Sequence, residues 1–270
     1  MGKTYIQNLG LFVTEKCNLD CAHCCRGGCS NKNLKDEVIS STFDQIDMLS
    51  SLSICGCEPT LAVLQIEKVF SYIIDRKIKL DRVYMFINGT KYSEELLRLL
   101  REMNDYITII KNLPRYQRTC AFGISADQFH IDSMEERGLF YDYLENCLMY
   151  KESPYFDNII DLQYPIFREG KANNLPTYLT IPLKKFGYII AHNEHNPLNS
   201  VCYLGPLISI NVDGIVTECD ASWKHQRTKY NYGNVLEDSL ENILIKNNAE
   251  LVDSDEFASK SNRLIKNYYE

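Results

Sequence analysis

The sequence predicts an α/β fold built on parallel strands, and two observations carry that prediction. Over the first two-thirds of its 270 residues, strand-like and helix-like segments alternate, the pattern left by crossovers between parallel strands. The chemically unusual residues (a cysteine cluster, Glu58, Asn88 and Asp127) each follow directly on a strand. They therefore fall at the C-terminal ends of parallel strands, where α/β barrels and open sheets place their sites.

Taken in order, residues 9–13 read as a strand that runs straight into the cysteine loop. Phe43, Ile46, Leu49 and Leu52 stand at three-residue steps behind Ser41 or Thr42, which predicts a capped helix. A short apolar strand over 51–55 is stopped by Gly56-Cys57-Glu58-Pro59. The segment 62–75 places Ile66, Phe70 and Ile73 on one helical face. A strand over 83–87 closes at Asn88-Gly89, and Ser93 caps a helix that runs through Met103. Residues 121–125 read as a fourth strand, 140–150 as a helix and 159–164 as a fifth strand. From about Pro197 the character changes. Asp213-Gly214 forms a hairpin signal between 207–212 and 215–218, Cys202 and Cys219 flank it, and a helix follows over 239–245.

Hydrophobic and charged fractions of 45% and 24% are those of an ordinary soluble globular chain. A net charge of −7 argues against general electrostatic capture of nucleic acid. No apolar run is long enough to span a bilayer, and the first residues lack a signal-peptide core, so the expected location is cytoplasmic. Eleven cysteines in a reducing compartment then point to metal binding or catalysis rather than disulfides. Cys120 and Cys147 sit inside apolar segments and are expected to be core residues.

Cys17-x3-Cys21-x2-Cys24 puts three thiolates on one short loop. Three such ligands hold three irons of a 4Fe–4S cluster and leave the fourth iron open. The alternative is structural zinc, which takes four ligands and finds Cys25 and Cys29 nearby.

With these residues the chain resembles the radical SAM superfamily, whose signature loop is Cys-x3-Cys-x-aromatic-Cys. His23 stands at the aromatic position. Gly56-Cys57-Glu58-Pro59 resembles the family's Gly-Gly-Glu-Pro segment, with Cys57 in place of the second glycine. Ile87-Asn88-Gly89-Thr90 and Ser125-Ala126-Asp127 are similar to further cofactor-binding segments, and Arg168-Glu169-Gly170-Lys171-Ala172 is similar to a Gly-Arg-Ala segment. The resemblance implies a partial (β/α)6 TIM-type barrel over residues 1–190 and a small SPASM/twitch-like extension over 191–270. It implies that Cys17, Cys21 and Cys24 hold a 4Fe–4S cluster. Gly56, Cys57, Glu58, Asn88, Ser125 and Asp127 would then bind S-adenosyl-L-methionine (SAM), with Glu58 at its ammonium and Asp127 at its ribose. The implied reaction is reductive cleavage of SAM to a 5′-deoxyadenosyl radical, with electrons from a reductant such as flavodoxin or ferredoxin.

A peptide is the expected substrate, from His23 and the SPASM-like end. A nucleotide or other small metabolite is the alternative, and a zinc-binding interaction module without SAM turnover is the rival from another class. No single residue is singled out as catalytic. Cys202-x11-Gly214-x4-Cys219 fits the opening of the extension, as does Tyr232-Gly233-Asn234-Val235. The hairpin is expected to bring the two sulfurs near each other, with His192, His195, His225 or the spare cysteines Cys25, Cys29, Cys55 and Cys57 as further ligand candidates. One cluster per chain is expected, with Cys202 and Cys219 reduced and structural.

Overall fold

A computed structural model describes residues 3–114, 116–161, 166–193 and 200–269. Its strands are β1 (Lys3–Phe12), β2 (Met48–Cys55), β3 (Lys79–Ile87), β4 (Cys120–Ser125), β5 (Phe156–Ile160), β6 (Ile166–Phe167), β7 (Thr180–Ile181), β8 (Ile189–Asn193), β9 (Val201–Gly205), β10 (Ile208–Ile210), β11 (Ile215–Thr217), β12 (Gly233–Asn234) and β13 (Glu250–Asp253). Its helices are α1 (Asp36–Phe43), α2 (Val63–Asp75), α3 (Glu94–Ile110), α4 (Gln128–Glu136), α5 (Phe140–Lys151), α6 (Trp223–Gln226), α7 (Leu240–Lys246) and α8 (Phe257–Tyr269).

β1 to β5 lie side by side in sequence order, all parallel, with helices in every connection. This is the expected α/β architecture of parallel strands joined by helices. β6 pairs only with β7 in a separate two-stranded sheet, and no closed barrel forms among the described residues. Residues 162–165, the end of the expected fifth strand, and His195 lie outside the described residues.

The far edge of β1 is shared by two strands from the C-terminal segment. β9 pairs in parallel with its first half, Lys3↔Val201 to Ile6↔Leu204. β10 pairs with its second half, Leu9↔Ile208 to Leu11↔Ile210. β8 and then β13 extend the sheet from β9, while β11 and β12 form the expected hairpin off β10. Strands after residue 191 are thus woven into the same sheet as β1 to β5.

Local chemistry explains most elements. Ser93 Oγ accepts from Leu96 N, Glu94 and Glu95 fill the first turn, and Leu96, Leu99, Leu100, Met103 and Ile107 form the buried stripe of α3. Asn104 on that helix accepts from Thr119 N at 2.8 Å, which carries α3 seven residues beyond the expected end at Met103. Cys120 and Cys147 are buried in the main core as expected.

One expectation fails outright. The helix read from Phe43, Ile46, Leu49 and Leu52 does not exist: α1 ends at Phe43, and 48–55 is β2. The three-residue spacing is fortuitous. β2 is bonded on both edges, by β1 and β3, and such a strand buries residues on both faces instead of showing a clean period of two.

Candidate metal and cofactor site

The cysteine loop leaves β1 at Val13 and is clasped at its base. Val13 N donates to Cys55 O, Cys57 N to Thr14 O, and Glu58 N to Lys16 O, so the chain after β2 runs alongside the loop. On the other side Glu15 N donates to Lys32 O and Leu34 N to Val13 O. A Cβ on Gly56 would lie 3.0 Å from Thr14 O, so a side chain there would press on the clasp. The 170–172 segment seals the loop from above, where Lys171 N donates to Cys24 O at 3.0 Å. Gly170 has φ +54°, and a Cβ on it would lie 2.3 Å from Gly27 N and 2.4 Å from Cys25 O. Only glycine permits that approach.

Cys17, Cys21 and Cys24 line one cavity of about 230 Å³ at the C-terminal end of the sheet. Cys17 Sγ accepts from Leu19 N at 3.3 Å, and burial pushes the Cys21 thiol up to about 12. All three are free of disulfides. Cys25, Cys29 and Cys57 line the same cavity. Cys29 shares side-chain hydrogen bonds with both Cys17 and Cys57, which lower its own thiol and raise theirs. Spacing alone had set Cys29 apart from the loop ligands; the fold brings it among them.

Behind this cavity lies a second of about 330 Å³, lined by Gly56, Cys57, Glu58, Asn88 and Ser125 among others. Its floor is a network joining three strand ends. Glu58 accepts from Asn88 N at 2.7 Å, Thr60 Oγ1 at 2.6 Å and Thr60 N at 3.1 Å. Asn88 Nδ2 donates to Asn18 Oδ1 in the cysteine loop, and Asn18 Nδ2 donates to Thr90 Oγ1. Glu58 is buried and these donors are all neutral, so desolvation lifts its carboxyl to about 7 in spite of the hydrogen bonds.

Asp127 caps α4 through His130 N, and its Oδ2 lies 2.7 Å from His130 Nδ1 and 3.4 Å from His23 Nε2. Burial opposes ionisation, but the two imidazoles hold this carboxyl well below the usual carboxylate range. His23 stacks on Phe129 at 4.8 Å, and its buried Nδ1 has no hydrogen-bond partner. In this arrangement the carboxylate that the resemblance gives to the SAM ribose is held by two histidines. Ser125 and Asp127 line a third, adjoining cavity together.

Cys202 and Cys219 are not brought together, contrary to expectation. Cys202 pairs with Thr4 at the start of β1, whereas Cys219 hydrogen-bonds Cys55, the partner of Phe12 at its end. Eight strand residues separate the two positions, roughly 25 Å. The hairpin carries Cys219 to the site because β11 rides on β10 along the upper half of β1. Arg26 secures that contact. Its guanidinium sits 4.4 Å above the Phe12 ring and donates to Cys219 O and to Ala221 O. Sequence spacing gave Arg26, Cys55 and Cys219 no place at the site. The one available signal was the surplus of cysteines over the three that the loop motif uses.

No family model and no curated protein matches the sequence. Among solved structures, Streptococcus suis SuiB bound to precursor peptide SuiA aligns at 12% identity and a TM-score of 0.42, covering 88% of this chain and 64% of that one. Native anSMEcpe with bound AdoMet and Cp18Cys peptide aligns at 15% identity and 0.45, covering 98% and 84%. The chain therefore spans 64% of the length of the SuiB chain.

Proposed function

We propose that the chain is a radical SAM enzyme that holds a 4Fe–4S cluster on Cys17, Cys21 and Cys24 and binds SAM across the adjoining cavity. The observation that carries this reading is the convergence of three loop thiols on one cavity, with Glu58, Asn88 and Ser125 lining the next. The donor chemistry fits the cluster, because soft thiolates are what iron–sulfur centres take. When bound, the cluster supplies the electron that cleaves SAM to methionine and a 5′-deoxyadenosyl radical.

The chain's own residues would do the rest. Glu58 is a buried carboxyl without a cationic partner among its hydrogen bonds, and a bound ammonium would favour its charged form. Asn88 and Asn18 fix the loop against β3, so the ligand cysteines and the SAM cavity keep one geometry. Asp127 meets the ribose if His23 and His130 yield one carboxylate oxygen. Residues 191–270 serve as the twitch-like extension, closing the site through Cys219 and Ala221. A peptide is the first substrate class to test, with a nucleotide or small metabolite second, and flavodoxin or ferredoxin is the proposed electron source.

One observation favours a second reading. Cys21, His23 and His130 bring one thiol and two imidazoles within 4.8 Å of one another, a donor set that a single zinc ion accepts. Anaerobic reconstitution with iron and sulfide, followed by an assay for 5′-deoxyadenosine with SAM and a strong reductant, separates the two. Release of 5′-deoxyadenosine supports the enzyme; a chain that retains only zinc and leaves SAM intact supports the zinc module.

A further inference from the structure

At the opposite end of β1 from the cysteine loop, His192, Cys202 and Glu241 come together from three elements. His192 on β8 and Cys202 on β9 are directly opposed partners of an antiparallel pair, so their side chains rise from the same face of the sheet. Glu241 stands in the first turn of α7, whose start is fixed by Ser239 accepting from Asn242 N. Its Oε1 lies 3.1 Å from His192 Nε2, and its carboxylate accepts a hydrogen bond from the Cys202 thiol. The imidazole nitrogen, the sulfur and the carboxylate oxygen all lie within 4.8 Å of one another.

From this geometry we propose that His192, Cys202 and Glu241 form a site for a single zinc-class ion, separate from the cysteine loop. The donor set is one thiolate, one imidazole and one carboxylate, the mixture that tetrahedral zinc accepts and an iron–sulfur cluster does not need. With ordinary zinc bond lengths, ligand atoms in a tetrahedron stand roughly 3.3–3.6 Å apart. The three ligand atoms stand within 4.8 Å of one another, so side-chain adjustments of about 1 Å would close the set. Two of the three ligands are anchored by backbone ladders. Cys202 is held between β1 and β8, and His192 between β9 and β13. His192 is exposed, and Cys202 and Glu241 are half-buried, so an ion can enter and water can take the fourth position. The bound ion would pin the start of α7 to the β8–β9 pair, a clip between the outer strands and the helix that covers them.

This inference is independent of the proposed SAM chemistry and stands or falls by itself. The test is a Co2+ titration of the chelator-treated full-length chain under anaerobic conditions, read by absorption. Wild type should bind one more Co2+ than Cys202→Ser, and the difference spectrum should show thiolate-to-cobalt charge transfer with tetrahedral ligand-field bands. The milder Glu241→Gln variant, on a partly exposed helix surface, should keep its circular dichroism and weaken that one site at least tenfold. Zn2+ should raise the Tm of wild type more than that of either variant. Equal stoichiometry and superimposable spectra for wild type and Cys202→Ser would overturn the assignment. If Cys202→Ser fails to fold, unchanged Co2+ affinity in Glu241→Gln would overturn it instead.

Discussion

The two ends of β1 use cysteine in opposite ways. At the C-terminal end, Cys17, Cys21, Cys24, Cys25, Cys29, Cys55, Cys57 and Cys219 gather on loops and the end of β2 around two adjoining cavities, with Arg26 among them. At the N-terminal end, Cys202 alone sits on a regular ladder beside a histidine and a glutamate. Many thiols on loops, sharing protons with one another, are suited to a soft multi-metal centre. One thiol among harder donors on a rigid sheet is suited to a single borderline ion. What separates the two is the backbone under each cysteine. The loop end depends on close glycine approaches and a clasp of hydrogen bonds, whereas the sheet end depends on strand register.

The largest expected effect breaks the upper site at its ligands. Cys17→Ala, Cys21→Ala or Cys24→Ala should each abolish iron–sulfur absorption after reconstitution and all 5′-deoxyadenosine release, because a cluster held by three loop thiolates loses one of its anchors. Cys29→Ala is the informative partner. Its sulfur contacts Cys17 without belonging to the proposed ligand set, so it should keep the cluster absorption. If Cys29→Ala loses the cluster as completely as Cys17→Ala does, Cys29 is a ligand and the set is wrong.

Next in size is the backbone that holds the loop. Gly170→Ala forces a Cβ to within 2.4 Å of Cys25 O at positive φ. It should cost about 2–4 kcal/mol in urea unfolding and release the cluster more readily. Gly138→Ala is the control, also at positive φ (+68°) but with nothing within 4 Å of the added Cβ. It should cost only about 1 kcal/mol. Equal losses would show that the close approach contributes nothing beyond the dihedral strain.

Glu58→Ala removes the buried carboxyl that lines the proposed SAM cavity. A lost hydrogen bond to a charged partner is worth about 1.5–3 kcal/mol, so calorimetry on reconstituted protein should show SAM binding weakened roughly ten- to a hundredfold. Unchanged affinity would remove Glu58 from the cofactor site.

The smallest effect is a pH dependence in the hairpin. Glu218 is buried and accepts from Tyr232 Oη and Phe186 N, both at 2.6 Å, and burial lifts its carboxyl to about 7. The folded state then binds a proton more tightly than the unfolded state does, so Glu218's contribution to stability declines as pH rises from about 4.5 to about 7. The change should be about 1–3 kcal/mol, and Glu218→Gln should flatten it. Urea unfolding at pH 5 and pH 7.5 measures it; identical slopes in wild type and variant would refute the assignment.

Local signals were legible in the sequence. Ser93 caps the helix it was expected to cap, the helix expected over 239–245 forms as α7, and the turn at Asp213-Gly214 joins β10 to β11. The C-terminal ends of β1, β2, β3 and β4 carry the cysteine loop, Glu58, Asn88 and Asp127 as the alternation implied. What stayed hidden was non-local. That β9 and β10 share one edge of β1 is a pairing across about two hundred residues, and no spacing motif encodes it. It is this pairing that sends Cys202 and Cys219 to opposite ends of the sheet. The false helix over β2 has a related cause, because a strand bonded on both edges loses the alternation that identifies strands from sequence. Cys29 and Cys55 were visible only as surplus thiols, and the fold gave them neighbours.

The claim that the upper site joins a cluster to SAM is tested most directly by electron paramagnetic resonance of the reduced, reconstituted chain with and without SAM. The account predicts a 4Fe–4S signal from about four irons per chain whose line shape changes when SAM is added, since a cluster held by Cys17, Cys21 and Cys24 would adjoin the cavity of Glu58 and Asn88. A chain that binds zinc but forms no such signal, or a signal that SAM leaves unaltered, would contradict it.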